Sequence, residues 1–332
     1  MTIDFDWARD YRGNLEWLQA NTILLVAGGS HSYGLNTPES DLDVKGICIP
    51  PKKYLTGFLH KFEQAESKNP DLTVFDIRKF FSLACEANPN ILEVLWTDEA
   101  DIIQINEFGH RLRHFKTLFV SQRAKYSFSG YAVAQLKRLR THRKWILNPP
   151  THKPTRGEFE LPETTILSAD IMGAVESLAK NELHNVAWFD NEVRKFSPEI
   201  MHAYQRERAY HNALVRWQQY ENWKKTRNPE RAKLEAEHGY DAKHAMHLVR
   251  LMRMCEEILT TGQVVVKRPD REELLAIRNG AWTYDQLIEW AEKQDAKMDE
   301  LLLTTKIPKS PDRTYLDGIC RTMVEEFIGC AA

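Results

Sequence analysis

Asp41 and Asp43 stand on either side of Leu42 in the segment DLDVKGICIP, residues 41–50. Its β-branched residues and the double proline that closes it predict a strand. In a strand, residues i and i+2 share a face, so the two carboxylates project together while Leu42 and Val44 face the other way. Like charges so placed repel and favour a cation. A hard divalent ion such as Mg2+ (or Mn2+) takes oxygen ligands and keeps positions open for phosphate oxygens, so the pair points to phosphoryl chemistry. An isolated Asp-x-Asp is common on surface strands, and the context of this one is what carries weight. Gly29 and Ser30 lie upstream in GGSHSYGLNTPES, a run of turn-forming residues that can offer backbone N–H groups to a triphosphate.

Several elements must position these groups. Asp6 to Leu18 has roughly helical spacing, and NTILLVA (21–27) is an apolar run of strand length. DLTVF (71–75) reads as a third strand, and IRKFFSLACEANPN (77–90) as a helix halted by Asn88 and Pro89. From Phe108 onward the periodicity is helical, with amphipathic stretches around 129–147, 163–187, 241–261 and 283–304. Asp241 precedes one of these, Asp270 with Glu273 has the spacing of a capping box, and Gly262 and Gly280 supply stops. The Pro-rich stretch 148–162 reads as a long surface loop. The expectation is an α+β protein, with a small mixed sheet flanked by helices over 1–107 and a mainly helical domain over 108–332.

The order apolar residue, Gly29-Ser30, spacer, Asp41-Leu42-Asp43 resembles the signature of the DNA polymerase beta superfamily of nucleotidyltransferases. The fuller strings GSHSYGLNTPESDLDVKG, VFDIRKFFSLACEANPNILEVLW, DAKHAMHLVRLMRMCEEILTTG and RPDREELLAIRNG resemble its RNA-ligase-associated, RNA repair group, leaving about 150–235 least covered. The resemblance implies a nucleotidyltransferase fold with a helical companion and metal-dependent transfer of NMP from an NTP to a hydroxyl. Such folds need a third carboxylate from a neighbouring strand. Leu72 and Val74 would pack inward, which puts Asp71 on the side of Asp41 and Asp43, whereas Asp76 suits the N-cap of the next helix; a bulge would reverse the assignment. The mechanism so implied is two-metal transfer with Asp41, Asp43 and Asp71 as metal ligands and catalytic groups. Gly29, Ser30, Ser40 and Lys45 are expected near the nucleotide; Lys45 either contacts a phosphate or offsets the local negative charge.

From Phe108 through Gly157 there is no acidic residue, while Lys and Arg accumulate. Lys137, Arg140 and Lys144 fall on one helical face with Phe128, Tyr131 and Trp145 nearby, a candidate surface for RNA. The competing reading is a basic face that pairs with the acidic 289–300 helix inside the protein. In 241–261, Lys243, His247 and Arg250 form a basic stripe that could hold triphosphate or acceptor phosphates, opposite the apolar face of Leu248, Leu251, Cys255 and Ile258.

Composition narrows the classes further. With 42% hydrophobic and 28% charged residues over 332 positions, the chain can bury a sizeable core. Five scattered cysteines without a C-x-x-C pair argue against a disulfide framework or a zinc site and for a reducing, cytoplasmic setting. No signal-like or membrane-spanning run is evident, so no membrane partner is expected. The leading expectation is an enzyme that acts on an RNA end. Its rivals are a non-catalytic nucleotide- or RNA-binding module on the same fold, and transfer of NMP to a protein or small molecule. The retained Asp-x-Asp speaks against a pure binder, which has no need of clustered negative charge.

Overall fold

A computed structural model describes residues 3–38, 40–180, 197–227 and 229–330. Five strands, β1 (Thr22–Ala27), β2 (Asp43–Cys48), β3 (Gln64–Ser67), β4 (Asp71–Asp76) and β5 (Ile102–Ile105), form one sheet in the order β3-β4-β2-β1-β5. The sheet is mixed: β2 and β4 run parallel, and the other neighbours antiparallel. Every residue of β1 is buried, as expected of a central strand covered on both faces. β4 alternates, with Leu72, Val74 and Asp76 buried and Asp71 exposed. Leu25, Val44, Cys48, Leu72 and Val74 pack together on one face with Trp7, Trp17 and Leu42.

The helix Ile77–Cys85 packs on β2 and β4. It buries Ile77, Phe80, Phe81, Ala84 and Cys85, the i, i+3, i+4, i+7, i+8 stripe of an amphipathic helix. Asp76 caps its start, its carboxylate accepting from the Arg78 N–H at 2.7 Å. The Asn88-Pro89 pair that halts this helix also begins another, Pro89–Trp96: Asn88 accepts from the Asn90 N–H and Pro89 takes the first turn.

The chain divides into two compact units, one made of residues 1–139 with 242–332 and the other of 140–241. The sequence-based division at 107/108 cuts elsewhere, because helical periodicity reports an amphipathic face and not the surface that covers it. In the first unit, the helices Arg271–Arg278 and Tyr284–Thr304 pack on Ala242–Thr261, and Arg313–Cys330 packs on Ile77–Cys85. In the second, Pro198–Thr226 packs on Ala169–Ala179 around Leu167, Val175 and Tyr204. No described helix is long and apolar enough to cross a membrane.

Local expectations are corrected at three places. The helix expected over Asp6–Leu18 is two short ones, Trp7–Asp10 and Leu18–Asn21, with Gly13 and Asn14 in the break between them. β3 and β5 carry no clear alternation in sequence, yet pair as strands at the two edges of the sheet. Asp270 makes no side-chain cap; its carboxylate accepts instead from Arg253 at 2.6 Å and Arg268 at 2.8 Å, and Glu273 also binds Arg253. The capping box lies at Thr283 and Gln286. The long amphipathic helices stand at Arg123–Leu147, Ala169–Ala179, Ala242–Thr261 and Tyr284–Thr304, while 181–187 of the stretch expected over 163–187 lies outside the described residues.

One buried ion pair ties the helix Ala242–Thr261 to the helix Pro89–Trp96. Glu93 and Arg250 are 4% and 5% exposed, and their carboxylate and guanidinium meet at 2.9 Å. The guanidinium lies 3.7 Å from the centre of the Tyr33 ring, and the Tyr33 hydroxyl donates to the same Glu93. Removing one partner of a buried pair strands the other charge, so Glu93→Ala is expected to cost about 3–5 kcal/mol of unfolding free energy. The double substitution Glu93→Leu with Arg250→Met is expected to recover much of that loss. Urea denaturation of the three proteins checks both.

Candidate active site

The carboxylates gather where β1, β2 and β4 meet the turn after β1. β2 and β4 are in continuous parallel register, with Asp43 opposite Asp71 and Cys48 opposite Asp76. No bulge interrupts that pairing, so the period of two keeps Asp71 on its exposed face and buries Asp76 at the helix cap. The ladder begins at Asp43; Asp41 is exposed and precedes the strand by two residues instead of sitting within it. It remains near enough to Asp43 to perturb that group's charge.

The turn is a short helix, Gly29–Tyr33, that leaves β1 through Gly28 and ends at Gly34 in the left-handed conformation. The Gly28 N–H donates to the Asp43 carbonyl at 2.8 Å. Gly29 has φ +58, and a Cβ there would lie 1.8 Å from Oδ2 of Asp43. The left-handed backbone favours glycine here, and any side chain would displace the Asp43 carboxylate from its seat. Ser30 is half-exposed, and the Ser40 hydroxyl is engaged within its own loop, accepting from the Thr37 N–H at 2.9 Å. Lys45 lies against Gly28, with Nζ 3.4 Å from the Asn90 carbonyl.

Burial raises the Asp43 carboxyl above its ordinary value of 3.8; Lys45 opposes the shift, Asp71 and Asp41 add to it, and His31 opposes it. His31 is thus a neighbour of the carboxylates, and its buried Nε2 hydrogen-bonds to no described residue. Three oxygen-donor side chains, one of them held at a cost by burial and like charge, together with an unsatisfied polar atom, fit a hard divalent cation and a phosphate-bearing ligand.

The basic stripe on Ala242–Thr261 divides. Arg250 does not present its charge to a phosphate: it is buried against Glu93 and Tyr33, because the helix packs that face on the turn and on Pro89–Trp96. Lys243 and His247 lie half-buried on the same helix. Burial pushes the Tyr33 hydroxyl well above 10, so it stays protonated as the donor to Glu93.

Sequence reasoning missed a strap formed by 267–271. The Arg268 N–H donates to the Tyr33 carbonyl at 3.0 Å, Arg271 donates to the Gly34 carbonyl, and Lys267 pairs with Asp101 at 2.7 Å. Its only signal in the sequence is the Arg-Pro-Asp-Arg string, which says nothing of what it touches.

The early part of the acid-free tract pairs with acids from other segments. Lys125 is buried against Asp295 and Asp299, at 3.0 and 2.7 Å, and Arg111, Arg113 and Arg123 pair with Glu326, Glu99 and Glu86. Lys137, Arg140 and Lys144 are exposed on the Arg123–Leu147 helix. Of the aromatic side chains expected nearby, Phe128 is a core residue, Tyr131 is exposed, and Trp145 lies in a cluster with Tyr220 and Trp223.

Residues 13–149 match the model of the RNA repair pathway DNA polymerase beta family, the family expected from the sequence. That family is of nucleotidyltransferase type, and the matched span contains the turn and all three carboxylates. The chain is also 26% identical over 298 residues to an uncharacterised 38.9 kDa protein of Enterobacteria phage T4 from the nrdC–mobD intergenic region, covering 82% of this chain and 86% of that protein. No solved structure matches the chain significantly.

Two outcomes follow from the site. A carboxyl with a raised value in the folded state binds its proton more tightly there than in the unfolded chain, so it lowers stability as pH rises from the ordinary value of 3.8 through the raised one. Asp43→Asn is therefore expected to melt higher than wild type at neutral pH without metal. That gain vanishes as pH falls to the ordinary carboxylate range, and added Mg2+ stabilises the wild type alone; thermal melts across pH and Mg2+ check this. Gly29→Ala forces Asp43 to move, so the Mg2+-dependent rise in melting temperature should be lost even where the fold persists.

Proposed function

We propose that this protein is a metal-dependent nucleotidyltransferase that moves a nucleoside monophosphate from an NTP to a hydroxyl on an RNA end. The observation that carries the reading is the pairing of Asp43 with Asp71 across parallel strands, with the Asp43 carboxylate seated on the glycine turn, inside the span matched by the family. Clustered, partly desolvated carboxylates are costly without a counter-charge, and a protein that only recognised nucleotide would gain nothing from them.

Asp41, Asp43 and Asp71 are the residues that would hold Mg2+ or Mn2+. When bound, the two ions supply neutralisation of the triphosphate and a lowered pKa for the acceptor hydroxyl. The chain's own part is positional. Gly29 seats the Asp43 carboxylate, Ser30 beside it and Lys243 and His247 are assigned to phosphate oxygens, and Lys45 offsets the carboxylate charge. In the reaction the acceptor hydroxyl gives up its proton to water as its oxygen bonds to the α-phosphorus, the bond from that phosphorus to the β-phosphate oxygen breaks, and pyrophosphate leaves. RNA is the acceptor that suits the exposed face of Lys137, Arg140 and Lys144, since neutralising successive phosphates is what such a row does.

The test is transfer of label from each α-labelled NTP to cellular RNA with Mg2+ or Mn2+. Wild type is expected to label RNA with a preference among the four nucleotides. The Asp41→Ala, Asp43→Ala double substitution should fall by at least about 10²-fold, the scale on which loss of an electrostatic stabiliser is felt. Label on protein and not on RNA would replace the acceptor while leaving the chemistry; no label on either, from folded protein, would overturn the reading.

A further inference from the structure

The loop between β2 and β3 carries the most exposed large apolar side chains in the described chain away from helix ends. Phe58 is 84% exposed and Leu59 79%. They are adjacent, and Lys52, Lys53, His60 and Lys61 beside them are all exposed. From Pro50 to Phe62 the sequence contains no acid; Glu63, just before the next strand, is paired with Lys79 at 2.8 Å. The base of the loop is fixed by an aromatic cluster. Tyr54 and Phe62 pack on Trp17 with ring centres 5.3 and 5.0 Å away, and His60 lies 5.6 Å from the Tyr54 ring. The loop is thus anchored from below by three aromatic rings, with its two largest apolar side chains adjacent and in water.

We infer that this loop is a docking point for single-stranded RNA, with Phe58 stacking on a base and Lys52, Lys53 and Lys61 neutralising the flanking phosphates. The inference rests on the reading of RNA as the acceptor and adds a second point of contact to it. Aromatic stacking alongside cations is the combination by which single strands are held without regard to sequence. The loop's position suits that role. β2 runs away from Asp43 to Cys48, so the loop leaves the sheet at the end of β2 remote from the carboxylates, about 17 Å along the strand. An RNA bound at both points would have to span that distance.

Other occupants fit less well. Two apolar side chains beside a four-residue helix, Lys53–Thr56, are a weak membrane anchor, since stable attachment takes two strong signals. A second copy docking face to face would set these lysines against themselves.

The test measures binding of a fluorescent RNA of about 16 nucleotides, a length within the range of single-strand sites, to the full chain without NTP. Three proteins are compared: wild type, Phe58→Ala, and the triple Lys52→Ala, Lys53→Ala, Lys61→Ala. Phe58→Ala is expected to weaken binding about five- to a hundred-fold, the effect of losing one stacked base. The triple variant is expected to flatten the dependence of log affinity on log salt by about 2, at about 0.7 per phosphate contact in single strands. Unchanged melting temperatures establish that the variants are folded, as these exposed side chains predict. If wild type binds RNA and both variants bind it equally well with the same salt slope, the docking inference falls and the acceptor reading stands. If wild type neither binds nor labels RNA, the acceptor reading falls and takes the inference with it. Phosphatidylserine vesicles and sedimentation velocity complete the experiment: loss of vesicle binding or of self-association in Phe58→Ala, with RNA binding intact, would overturn the inference in favour of a membrane or a second copy.

Discussion

The Glu93–Arg250 pair, closed by the Tyr33 ring and hydroxyl, holds together three elements that are far apart in sequence: the turn after β1, the helix that follows Asn88, and the helix Ala242–Thr261. Both charges are out of water, where an unmatched one would be expensive, so the pair permits few arrangements of the elements that carry it. Tyr33 belongs to the helix that begins at Gly29, and Gly29 touches the Asp43 carboxylate. A desolvated contact among core helices is therefore only a few residues removed from the proposed chemistry. The strap at 267–271 acts on the same turn from outside, through the carbonyls of Tyr33 and Gly34. The C-terminal helices of this unit thus belong to the construction of the site as well as to its surroundings.

The site itself is a balance of unfavourable terms. Asp43 is partly buried, lies opposite Asp71 and near Asp41, and has Lys45 and His31 as its partial compensation. Its seat on Gly29 leaves no room for a side chain, so the geometry is bought with a glycine in a left-handed conformation. Burial and like charge both disfavour the ionised Asp43 carboxylate, so this arrangement lowers stability at neutral pH.

The basic residues show how little charge counting says about use. Arginines and lysines early in the acid-free tract are spent on Glu86, Glu99, Asp295, Asp299 and Glu326, and Arg250 on Glu93. The tract's missing partners lie elsewhere in the chain: Arg111, Arg113, Arg123 and Lys125 answer acids from other segments, one pair of them on the acidic 289–300 helix, while Lys137, Arg140 and Lys144 are exposed.

Whatever depends on spacing along the chain can be read from the residues alone. The period of two put Asp71, and not Asp76, on the face shared with Asp43, and cap chemistry assigned Asp76 to its helix; both placements hold in the structure because β4 is regular. The Gly-Ser turn, the amphipathic helices and their glycine stops are local in the same sense. Tertiary structure alone decided which helices pack with the sheet, why Arg250 faces Glu93 and not a phosphate, that Arg268 and Arg271 hold the turn, and that Asp270 answers two arginines in place of capping its helix. These are pairings between residues remote in sequence. A charged side chain's partner is selected by burial and by which surfaces meet, and periodicity within one segment carries no information about either.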